Sequence, residues 1–101
     1  MSAEAFRYSF APSVPFEEVE ASFVLAIMAV ESLHGQTQVR LDAAHAADAA
    51  KRTCVIDAST PVGRDLNRLF IGFISREFGE DSFQVERVDE HHHHQPQETA
   101  A

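Results

Sequence analysis

The stretch from Pro15 to Gly35, PFEEVEASFVLAIMAVESLHG, constrains this chain more than any other. Its length suits one helix of about five and a half turns at roughly 3.6 residues per turn. Pro15 fits a first helical turn, where its missing N–H costs nothing. Glu17, Glu18 and Glu20 follow, and negative charge there is favoured by the helix dipole. Phe16, Val19, Phe23, Ile27 and Val30 fall on one stripe, and Gly35 supplies a C-cap just after His34. The middle, Phe23 to Val30, is apolar all the way round. A surface helix buries one stripe only, so this helix is expected to need cover on more than one side.

The 101 residues form one domain, and 45% apolar residues with eight Phe supply a core without covalent staples. The formal charge of −8 argues against nucleic acid and against an anionic membrane surface, since both are bound by clustered Lys and Arg. A single cysteine, Cys54, allows neither a disulfide framework nor a cysteine-based zinc site within the chain. The start, MSAEAFRYSF, lacks the basic region and apolar run of a signal peptide. The apolar run of the first helix is far short of the roughly 20 residues that span a bilayer. The expectation is a soluble cytoplasmic protein.

Around the first helix the pattern is regular. Phe6, Tyr8 and Phe10 alternate with Arg7 and Ser9, as in a strand with one buried face. Gln36 to Ala43 alternates again, with Val39, Leu41 and Ala43 on one side, and predicts a second strand. Arg52 to Ala58 predicts a third, with Cys54 and Ile56 inward. Ala44 to Lys51 between them has helical propensity, but its position favours a hairpin tip. Ser59, Thr60 and Pro61 mark a helix start, and Val62, Leu66, Leu69, Phe70, Phe73 and Ile74 give that helix its core face up to Phe78 and Gly79. Ser82 to Val88 is the last predicted strand, with Phe83 and Val85 inward. Residues 89–101, DEHHHHQPQETAA, read as a disordered polar tail after a domain at 1–88.

The order strand, helix, strand, strand, helix, strand predicts an α+β ferredoxin-like βαββαβ plait: a four-stranded antiparallel sheet with two helices on one face. A weak internal repeat supports it, since inward residues follow Gly35 and Gly79 at the same offsets of four and six. The first helix carries Glu17, Glu18, Glu20 and Glu31, and the second carries Arg64, Arg68 and Arg76, so the two are compatible side by side. One sheet and one neighbouring helix leave Val24, Leu25, Met28, Ile71 and Phe78 uncovered. Such a patch predicts a protein partner, most simply a second copy, because closed twofold dimers are the commonest oligomers.

Three groups could carry chemistry. Ser59, Thr60, Gly63 and Arg64 sit at a helix N-terminus, where free N–H groups could hold an anionic ligand, although capping explains the same residues. His91, His92, His93 and His94 could bind Ni²⁺, Zn²⁺ or Cu²⁺ as neutral imidazoles, although a solvated tail has the same composition. Cys54 has the parity of a small buried hydrophobe rather than of a reactive thiol. No spacing brings two carboxylates together. The outward positions Arg7, Ser9, Thr53, Val55 and Asp57 include no aromatic on which an RNA base could stack.

The βαββαβ order resembles, in architecture, acylphosphatases, metallochaperones and amino-acid-sensing regulatory domains. The entry loop APSVP is not the glycine-rich, arginine-containing loop of acylphosphatases, and the Cys-x-x-Cys of a metallochaperone is missing. The function expected from the residues is a small non-enzymatic adaptor or regulatory module, homodimeric, acting through its apolar helix layer. The alternatives are a metal-handling protein that uses the histidine tail and a sensor of an anionic ligand.

Overall fold

The computed structural model describes residues 4–88. The predicted tail, with His91 to His94, lies outside the described residues. In chain order the elements are β1 (Ala5–Phe10), α1 (Phe16–His34), α2 (Gln36–Asp42), β2 (His45–Asp48), β3 (Thr53–Asp57), α3 (Pro61–Phe78), a 3₁₀ turn (Glu80–Ser82) and β4 (Phe83–Val88). The fold is α+β, with one four-stranded sheet in the order β2-β3-β1-β4. Every neighbouring pair is antiparallel, with Tyr8 opposite both Cys54 and Val85.

Directly opposed residues of paired strands share a face of the sheet. Tyr8, Phe10, Cys54 and Ile56 therefore point one way, and they are buried with Phe23 of α1 and with Leu66, Phe70 and Ile74 of α3. Phe70 is the hub. Its ring centre lies 5.0 Å from Tyr8 and 4.9 Å from Phe23, in edge-on and tilted contacts. The Tyr8 hydroxyl donates a hydrogen bond to Asn67 Oδ1 on the same helix, so this phenol is buried with its polar end satisfied. The other face carries Arg7, Ser9, Thr53, Val55, Gln84 and Glu86, and Arg7 pairs with Glu86 across strands at 2.7 Å.

The predicted strand at Gln36 to Ala43 is instead the helix α2. Gly35 takes φ of +89°, which ends α1, and its carbonyl accepts the Val39 N–H at 3.1 Å to begin a new helix at a different angle. Val39 is buried, but Leu41 is 73% exposed, so the apparent alternation does not mark a buried face. The sheet takes its edge strand from residues assigned to the hairpin tip. His45 to Asp48 pair with Ile56 to Thr53, and the turn is confined to residues 49–52. The internal repeat thus survives in its two glycine caps, Gly35 and Gly79, which share φ of +89°, and in the core-packed residues four positions on, Val39 and Phe83, but not in its second strand. At the other edge Phe83 and Val85 stand on the core face opposite Phe10 and Tyr8, Phe83 partly buried against the core and Val85 38% exposed because β4 is an edge strand.

Arg52 ties the hairpin to the opposite end of β1. It adopts φ of +58° at the end of the β2–β3 turn, a region that non-glycine residues seldom occupy. Its guanidinium donates to the carbonyls of Ala11, at 2.8 Å, and of Val14, and it lies 5.9 Å from the centre of the Phe16 ring. The Arg52 carbonyl in turn accepts the Phe10 N–H at 3.1 Å. Arg52→Ala is expected to cost about 2 kcal/mol in urea denaturation, because two carbonyls lose a charged donor. Arg52→Lys recovers only part of this, since an ammonium cannot reproduce the planar fork. Equal stability of Arg52→Ala and the parent protein would show that the clamp contributes nothing.

Candidate partner-binding face

The apolar all-round centre of α1 is covered on one side only. Phe16, Val19, Ser22, Phe23, Ala26 and Val30 are buried against the sheet and α3. Val24, Leu25 and Met28 are 54, 56 and 55% exposed. The expectation that neighbouring elements cover more than one side of this helix does not hold within the described chain. Three large apolar side chains therefore stand together on the outer surface of one rigid, core-anchored helix. Ala21 and Ser32, also exposed, continue the same surface in either direction, and the Ser32 hydroxyl turns back to donate to the Met28 carbonyl at 3.2 Å.

Ile71 and Phe78 do not join this surface. The side of α3 that meets α1 is marked by Asp65, whose Oδ2 lies 2.8 Å from His34 Nε2. Six residues, or about 240° of helical rotation, separate Asp65 from Ile71, which puts Ile71 on a different flank of α3. Ile71 is 36% exposed, and Phe78 is partly buried against the core. Sequence reasoning grouped five residues as one patch because it could not orient the two helices. It missed Leu33, which is exposed near the end of α1.

The two helices do lie side by side, but their polar link is not one of arginine with glutamate. Among the described residues, no arginine of α3 pairs with a glutamate of α1; the cross-helix pair is His34 with Asp65. It joins the last turn of α1 to the first turns of α3, where a base and an acid each suit the local dipole.

At the start of α3, Thr60 is the N-cap. Its hydroxyl oxygen accepts the Gly63 N–H at 2.9 Å and donates to the Asp42 carbonyl at 3.1 Å, anchoring α2 to α3. The Ser59 N–H is taken by Asp57 Oδ1 at 2.9 Å. A Cβ on Gly63 would stand 2.0 Å from the Asp57 carbonyl oxygen, so this glycine exists to let the helix approach the end of β3. The Thr60 hydroxyl and the Ser59 N–H, two of the groups expected to greet an anion, are committed within the chain, and Arg64 is exposed beside them. The geometry is that of a cap.

Cys54 is fully buried, and burial, with Glu20 nearby, pushes its thiol up to about 12. Burial raises the Tyr8 phenol above its ordinary 10, and the neighbouring Cys54 raises it further. Neither group offers a nucleophile. Among the described residues there is no cluster of three or more His, Cys, Asp or Glu able to hold a metal ion. His91 to His94 lie outside the described residues. No helix among those described is long and apolar enough to cross a membrane. The open sheet face carries a shallow depression of about 380 Å³ beside Arg7, Asp48, Lys51 and Thr53, but Arg7 is already engaged by Glu86.

His45 titrates in a partly dry setting. The residue is exposed overall, yet its ring meets Phe23 edge-on at 4.9 Å, and this desolvation lowers its pKa below the ordinary 6.5. The neutral ring is therefore favoured in the folded state. As pH falls below about 6.5 the unfolded chain takes up this proton first, so the fold loses stability until the folded ring titrates as well. His45→Gln is expected to remove that loss. The parent protein should decline relative to the variant in thermal melts between pH 7.5 and 5, and parallel curves would contradict the assignment.

No protein-family model, curated protein or solved structure matches this chain. The α1 surface, rather than likeness to another protein, has to carry the functional reading.

Proposed function

We propose that this protein is a small non-enzymatic interaction module that docks through the outer face of α1, pairing first with a second copy of itself. The observation that carries this reading is the exposure of Val24, Leu25 and Met28 by more than half each, side by side on a helix whose opposite side is locked into the core. Isolated exposed apolar residues are ordinary; a contiguous group on one rigid element is a mark of an interface. The committed caps and the buried, unreactive thiol support a binding role over a catalytic one. We further propose the ferredoxin-like plait as the scaffold. Its support is the placement of β3 between β1 and β2, and of β1 between β3 and β4, which is what two interleaved βαβ halves require. In that arrangement α2 is an insertion in the first crossover.

Sedimentation velocity over a concentration series tests the proposal, on the parent protein and on Met28→Asp. Self-association is expected for the parent, and the variant should stay monomeric with an unchanged melting temperature, because position 28 is exposed. An aspartate there that leaves association intact would sink the reading.

A further inference from the structure

We propose that the outer face of α1 receives a basic amphipathic helix of another protein, one whose apolar stripe is edged by Lys and Arg. This rests on the proposed docking through α1 and adds the chemistry of the partner that holds the face most firmly. Val24, Leu25 and Met28 supply the apolar centre, each more than half exposed. Met28 lies four residues after Val24 and three after Leu25. Rows at that spacing form ridges that fit between the ridges of a second helix, so a helix is the occupant that matches them.

Charge selects the partner. Glu17 and Glu18 lie seven residues before Val24 and Leu25, two helical turns away and in the same rows. Glu20 lies four residues before Val24 and Glu31 seven after it, so carboxylates border the apolar centre at both ends. Glu17, Glu18 and Glu20 are exposed, and α1 carries no Lys or Arg. Among the described residues none of these four carboxylates is held in an ion pair, not even by Arg64, Arg68 or Arg76 of the adjoining α3; the pairs are Arg7 with Glu86, His34 with Asp65 and Arg87 with Glu4. The chain adds a formal charge of −8, whose field draws in a cation-rich helix and speeds its encounter. Two copies instead bring like charges to one contact, so a second copy is the weaker occupant and yields to a basic helix.

The probe is a labelled synthetic helix of about 18 residues, long enough to hold its fold, with Leu at every third or fourth position and Lys and Arg between. Its controls are a scrambled peptide of the same composition and a helix with the same Leu stripe but Glu in place of Lys and Arg. Fluorescence anisotropy reads affinity, and NMR of the full chain reads the site. The basic helix is expected to bind with shifts at Val24, Leu25 and Met28, about tenfold more weakly at roughly 500 mM than at roughly 50 mM NaCl. Leu25→Ser should weaken it about tenfold, and Glu17→Gln with Glu18→Gln about threefold. Equal binding of the scrambled peptide, or shifts away from α1, would overturn the proposal, since net charge alone would then explain the attraction. Equal binding of the Glu-bearing helix at α1 would overturn the basic chemistry while leaving docking through α1 in place. An α1 face that neither helix shifts would overturn both.

Discussion

Phe70→Ala is expected to remove about 3–5 kcal/mol of stability, the range for deleting a large aromatic from a closed core. Phe70 is fully buried, and its ring meets Tyr8 and Phe10 of β1 and Phe23 of α1. One side chain of α3 thus joins the sheet to both long helices. For a domain of this size the loss lowers the melting temperature by more than about 10 °C. It takes up much of the 5–15 kcal/mol that typical domains possess. Thermal unfolding followed by circular dichroism measures it. A decrease of only two or three degrees would mean that the three elements are not joined at this ring.

The second large effect separates two glycines of the same helix. Gly63→Ala is expected to cost about 3 kcal/mol, at the upper end of overpacking penalties. The added methyl would lie 2.0 Å from a backbone oxygen of β3, and backbone cannot move aside as a flexible side chain can. The displacement would also pull Thr60 from its cap and from the Asp42 carbonyl, loosening α2. Gly72→Ala, nine residues on, meets nothing within 4 Å. It should stabilise by up to about 1 kcal/mol through helix propensity alone. Opposite signs in parallel denaturant titrations are the prediction; equal effects at the two positions would refute the close approach at Gly63.

Much of this fold is legible in the residues. Thr60 followed by Pro61, and Gly79 at the far end, delimit α3 by their residue types alone. Tyr8, Phe10, Cys54 and Ile56 announce the buried face of the two central strands by their alternation. What stays hidden has physical causes. β2 is HAAD, exposed throughout, and is held by backbone pairing with β3, to which side-chain patterning is blind. Val39, Leu41 and Ala43 alternate over too few residues to separate a strand from two turns of helix, and the break at Gly35 decides for helix. Arg52 acts across a sequence separation of 38–41 residues on carbonyls that no pattern identifies.

The candidate face follows the same division. Eight consecutive apolar residues on a helix cannot all meet one core, so an exposed Val24, Leu25 and Met28 is readable from α1 alone. Whether Ile71 belongs with them depends on the rotation of α3 about its axis. The His34–Asp65 contact supplies that rotation, and it separates the two.

The most direct test of the account is a dilution series of the intact chain followed by backbone and methyl NMR. Resonances that move with concentration are expected to cluster at Ala21, Val24, Leu25, Met28 and Ser32, with β4 and the open face of the sheet unchanged. Movement concentrated on β4, on Ile71 or on the open face, with α1 silent, would contradict the claim that the outer face of α1 is the surface this protein uses.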